Sequence, residues 1–112
     1  MFGLFKKKEK PVPAPWPNLT PGERQLVAKV LDCAVGRYGR LHCDPLRVGS
    51  ANGVVMVTLY EQYDALPLGW PRESAYGVNL WEALENLLGR INLSAFLNHR
   101  KDMREKERLE AA

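Results

Sequence analysis

Val54-Val55-Met56-Val57-Thr58-Leu59-Tyr60 is the stretch that decides the fold of this chain. It is nearly continuously apolar, and Val54, Val55, Val57 and Thr58 are β-branched, which suits a pleated, buried surface. Just upstream, Gly49-Ser50-Ala51-Asn52-Gly53 has the composition of a turn. Before that turn, Arg40 to Val48 alternates in part, with Leu41 and Cys43 facing one way and His42 and Asp44 the other. Pro45 has no N–H for a ladder, so this first strand is expected at a sheet edge or interrupted by a bulge. The two strands read as an antiparallel hairpin. A lone hairpin is marginal in water, so helices must cover one of its faces. The other face would show Val54, Met56 and Tyr60, or else Val55, Val57 and Leu59. Covering it calls for the C-terminal helices or a second copy of the chain.

Working outward, the first helix has a marked start. Thr20 can cap it, Pro21 suits the first helical position, and Glu23 completes the capping-box spacing. Leu26, Val27, Val30, Leu31 and Ala34 recur at helical spacing, and Gly36 and Gly39 follow, which predicts a helix over 21–37. Residues 63–77 read as a loop anchored by Leu66, Leu68 and Trp70. A second helix starts at Asn79, with Glu82 at a capping distance; Leu80, Trp81, Leu84, Leu87, Leu88 and Ile91 form its apolar face, and Gly89 breaks or ends it. A third starts at Leu93 or Ser94, points Phe96 and Leu97 at the core, and turns almost wholly charged from Asn98 onward. The reading is an α+β fold in the order helix, strand, strand, helix, helix. Leu26, Val30, Val57, Leu84 and Leu88 are its predicted core. The organisation is a basic, proline-rich leader over 1–17, the α+β domain over 18–99, and a charged helix end over 100–112.

A chain of 112 residues has room for one domain. Its cysteines, Cys33 and Cys43, are too few for a disulfide scaffold, so reduced thiols and a cytoplasmic location are expected. No apolar run approaches the ~18 residues that cross a bilayer. The leader places its lysines after Phe2, Leu4 and Phe5, the reverse of a signal peptide. The net charge of +3 is concentrated there: residues 1–10 hold Lys6, Lys7, Lys8 and Lys10 against Glu9, which leaves twelve basic and twelve acidic residues in the remainder. A neutral body argues against a dedicated duplex-binding domain.

The chemistry-bearing residues are sparse. His42, Cys43 and Cys33 are metal-ligand types without metal-ligand spacing, and in a strand His42 and Cys43 point to opposite faces. Gly49 to Gly53 lacks the lysine of a phosphate loop. No metal, no cofactor and no enzymatic activity are expected. The segment 24–47 carries Arg24, Lys29, Arg37, Arg40 and Arg47 against Asp32 and Asp44, while 61–85 carries Glu61, Asp64, Glu73, Glu82 and Glu85 against Arg72. Either the two stretches neutralise each other, or they form a two-signed surface for a partner.

The leading functional expectation is a non-catalytic protein-interaction or regulatory module, with a protein partner or a second copy of itself. Its candidate contacts are Arg37, Arg40, Arg47 and Trp70. The first alternative is nucleic-acid binding through Arg37, Arg40, Arg47 and the C-terminal basic helix. The second is a membrane-surface adaptor that uses residues 1–10, with Phe2, Leu4 and Phe5 entering the interface and Lys6, Lys7 and Lys8 meeting anionic headgroups.

Overall fold

The strand over Val54 lies at the centre of a sheet rather than in a lone hairpin. The computed structural model describes residues 19–111. They form α1 (Pro21–Tyr38), β1 (Leu41–Ala51), β2 (Val54–Glu61), β3 (Trp70–Gly77), α2 (Leu80–Ile91) and α3 (Leu93–Ala111). The sheet is antiparallel in the order β1-β2-β3. The α+β architecture holds, with one correction: a third strand stands where the sequence reads as a loop. β3 carries Pro71 and buries only Ala75, so it has none of the apolar alternation that marks a strand.

The first strand is both of the things Pro45 requires. It is an edge, and its register slips between Leu41 and Leu46, so that Leu41 faces Glu61 while Leu46 already faces Leu59. The hairpin closes at Asn52-Gly53, with φ of 55° and 76°. Two successive positive φ values match the right-handed twist of the flanking strands, which is why Asn-Gly serves here.

All three helices stack on one side of the sheet. Leu46, Val57, Leu59 and Ala75 point into that side and meet Leu26, Val30 and Ala34 from α1 and Ala83, Leu84, Leu87, Leu88 and Ile91 from α2. Each of the predicted core residues Leu26, Val30, Val57, Leu84 and Leu88 is at most 1% exposed. α2 lies directly over β2 and β3, with α1 and α3 packed on α2. Its approach to β3 is so close that a Cβ on Gly77 would sit 2.5 Å from the Ala83 nitrogen. The cap geometries follow the sequence. The Thr20 hydroxyl and the Glu23 carboxylate exchange hydrogen bonds with each other's backbone N–H, and Asn79 Oδ1 accepts from the Glu82 N–H at 2.9 Å.

Two further expectations are corrected. Gly89 neither breaks nor ends α2, which continues to Ile91; a side chain at 89 would press on the Phe96 ring, so this glycine admits α3. Leu97 is more than half exposed, because α3 turns Ala95, Phe96 and His99 inward and of these fully buries only His99. From Arg100 onward α3 runs unbroken to Ala111, its side chains exposed apart from a half-buried Met103. Among the described residues no helix is long and apolar enough to cross a membrane.

Candidate functional site

The stacking of the helices on one side leaves the opposite face of the sheet without a helix over it among the described residues, although Thr58 there is only 6% exposed. Period-two alternation places Val54, Met56, Thr58 and Tyr60 of β2 there. Across the ladder, Arg47 faces Thr58 from β1, and Ser74 and Tyr76 face Thr58 and Met56 from β3. The C-terminal helices therefore do not cover this face. Leu46, Val57 and Leu59, buried in the core, are on the helical side. The outer face mixes Val54, Met56 and Tyr76 with Thr58 and Ser74, whose hydroxyls bond each other at 3.1 Å. Tyr76 is 58% exposed.

Beside this face, β3 has a free edge among the described residues, and α2 stands over it. Between them runs an open groove of about 680 Å³, lined by Pro71 to Tyr76 of β3 and by Asn86 and Arg90 of α2. Asn86 Nδ2 donates to the Tyr76 carbonyl at 2.7 Å, so that carbonyl points away from β2 and into the groove. In an antiparallel strand the N–H and C=O of one residue point the same way and alternate residues repeat the direction. Ser74 therefore also presents its N–H and C=O to the groove. The close Thr58–Ser74 side-chain contact agrees, since such contacts belong to the pairs that exchange no backbone bonds. At the other end, Arg90 Nε donates to Glu73 Oε1 at 2.8 Å, and the carboxylate pushes the Arg90 pKa further up. There Arg72 lies 4.8 Å and Arg37 5.4 Å from the centroid of the Tyr38 ring.

The expected contact residues are not brought together. Arg37 caps α2, donating from Nη1 to the Ile91 carbonyl at 2.8 Å and to that of Arg90 at 3.3 Å. Arg40 pairs with Asp64 at 3.4 Å in an exposed bridge. Arg47 lies on the outer face, its guanidinium 4.5 Å from the centroid of the Tyr60 ring and 3.7 Å from Asp44. The sheet separates Arg47 from Arg37. Trp70, half exposed, leans on Tyr63 with ring centroids 6.2 Å apart. Phe2, Leu4, Phe5, Lys6, Lys7 and Lys8 lie outside the described residues. The groove residues Ser74, Asn86 and Arg90 went unremarked in the sequence; the one legible signal is that Asn86 and Arg90 stand a helical turn apart on the polar side of α2.

Both histidines serve the fold. His99 is 2% exposed. Its Nε2 lies 2.9 Å from Glu85 Oε2, its Nδ1 3.3 Å from Lys29 Nζ, and the Trp81 ring packs on it at 5.6 Å. An ammonium can only donate, so Nδ1 accepts from Lys29 and Nε2–H donates to Glu85. Arg100 Nη1 reaches the same carboxylate at 3.3 Å. Both ring nitrogens are thus occupied, and the cluster ties α1, α2 and α3 together. His42 is held likewise: the Asp44 N–H donates to its Nδ1 at 3.1 Å, and its Nε2–H donates to the Pro67 carbonyl at 2.9 Å. That bond fastens the 62–69 loop to the irregular part of β1. Cys33 and Cys43 are free thiols. Burial, and then the nearby Asp32 carboxylate, push the Cys33 thiol pKa up, whereas Cys43 is exposed.

No protein-family model, no curated protein and no solved structure matches this chain.

Proposed function

We propose that the chain is a non-catalytic protein-interaction module that holds an extended segment of a partner protein in the groove between β3 and α2. The observation that carries this reading is the free edge of β3, whose Ser74 N–H and C=O face an open groove beneath a helix. A strand edge left open is a template for another chain, and grooves between an edge strand and a helix receive peptides by main-chain pairing. The placement of Arg37, Arg40 and Arg47 weighs against the nucleic-acid alternative: Arg40 and Arg47 pair with Asp64 and Asp44, Arg37 caps α2, and the three share no surface. The free thiols of Cys33 and Cys43 support a reducing compartment, the cytoplasm, as the place of action.

Site-specific photocrosslinking tests the reading. A benzophenone side chain replaces Tyr76 at the groove or, as a control, Lys101 on α3. One recurrent protein should be captured at the first position and not at the second. That protein, purified, should bind the full chain, and Asn86→Trp, which fills the groove from an exposed position, should weaken binding by about tenfold or more while the chain still unfolds cooperatively. Equal capture at both positions, or undiminished binding to the Asn86→Trp variant, overturns the reading.

A further inference from the structure

Resting on that reading, we infer that the segment adds to the sheet as a fourth strand beside β3 and carries a carboxylate side chain that Arg90 receives, with a polar side chain two residues away opposite Asn86. The backbone sets the mode. The outward N–H and C=O of Ser74 and the N–H of Tyr76 are available for ladder bonds, while the Tyr76 carbonyl is already held by Asn86 Nδ2. Pro71, which has no N–H, and the register irregularity at Arg72 end the usable edge on one side, and the entry into α2 after Gly77 ends it on the other. The pairing frontage is therefore short, centred on Ser74.

The side chains set the chemistry. Asn86 and Arg90 are four residues apart on a helix, a rise of about 6 Å. Two residues along a strand cover about 6.6 Å. Alternate side chains of an added strand thus meet Asn86 and Arg90 in turn. Asn86 lies at the Tyr76 end and Arg90 at the Glu73 end, so the two contacts have a fixed order along the segment. At the Arg90 end the guanidiniums of Arg72 and Arg37 lie on the Tyr38 ring; Glu73 lies 2.8 Å from Arg90, and Glu61 grazes Arg72 at 4.0 Å. Three cations against two carboxylates leave room for one more anion, and a guanidinium binds a carboxylate more strongly than a neutral acceptor. The remaining side chains of the added strand would lie beside Tyr76, next to Met56, and extend that apolar stripe on the outer face. The ligand class is an extended segment that alternates apolar residues with a polar and then an acidic one.

The test uses the full chain and a capped, fluorescein-labelled peptide Gly-Val-Thr-Val-Glu-Val-Gly, read by fluorescence anisotropy. Saturable binding is expected. Replacing the peptide Glu by Gln, or Arg90 by Gln in the protein, should each weaken it about tenfold, and combining the two should add little, because both remove one contact. Peptides that each carry a single N-methyl group should lose binding at alternate positions and keep it in between, the signature of a strand whose N–H groups point in turn toward and away from β3. Binding that tolerates every N-methyl group overturns strand addition. Binding that is indifferent to both the Glu and the Arg90 replacements overturns the carboxylate assignment. No binding of this peptide, with the photocrosslinked partner still lost to Asn86→Trp, overturns the ligand class while the groove keeps its role; loss of that partner signal as well removes the groove itself.

Discussion

α2 and α3 follow one another with only Asn92 between them, yet they are held by opposite means. α2 buries Ala83, Leu84, Leu87, Leu88 and Ile91 against the sheet and α1. α3 packs chiefly on α2, through Phe96 and the His99 ring, and the contact is completed by the Glu85 and Arg100 side chains and by Lys29 of α1. The difference is instructive. An apolar helix face is non-directional and tolerates small shifts, since its contribution scales with area removed from water. A buried imidazole between an ammonium and a carboxylate is directional: each partner has one place to be, and a missing partner leaves a buried polar group unpaired. α2 therefore supplies most of the stability, and α3 is located by a few hydrogen bonds.

The comparison breaks most clearly at Leu84, which is fully buried at the centre of α2. Leu84→Ala should lower global stability by about 2–5 kcal/mol, the range for a filled core site. Urea unfolding measures it; a loss under ~1 kcal/mol would mean that α2 does not anchor the fold. His99→Leu comes next, at about 1–3 kcal/mol, since it leaves Glu85 and Lys29 without their shared partner. Its effect should concentrate in α3, so hydrogen exchange at amides beyond Phe96 should rise well before exchange in α2 does. Uniform acceleration across both helices would show that the cluster supports the whole core rather than the attachment of α3. The smallest effect tests the starts of the two helices. Asn79 Oδ1 caps α2 at the Glu82 N–H, and Asn92 Oδ1 accepts from the Ala95 N–H at the start of α3. Asn79→Ala should cost about 1 kcal/mol of global stability. Asn92→Ala should register chiefly as fraying of α3 by circular dichroism, with the unfolding midpoint little changed.

Apolar spacing and helix caps are what make the helices legible in the sequence. Thr20-Pro21 and Asn79 announce helix starts through side-chain chemistry that needs no tertiary partner. Leu26, Val30, Leu84 and Leu88 repeat at helical spacing because each helix must bury one face. Pro45 announced an edge or a bulge because a missing N–H has the same consequence in any sheet.

Tertiary structure alone decided the rest, and for a common reason. β3 has no apolar pattern because its end meets the backbone of α2, where Gly77 leaves no room for a Cβ, and Ala75 is the one residue it buries. The groove exists because β3 ends the sheet while α2 overhangs it, and strand order is not written in the residues of either element. His99 looked like one more member of a charged tail; only the fold brings Lys29, seventy residues away, to its ring. Local propensities and periodicity act within a few residues along the chain, so the sequence by itself determined the helices, the central hairpin and the core. The open edge, its groove and the buried polar clasp depend on which elements meet, and that was settled only by packing.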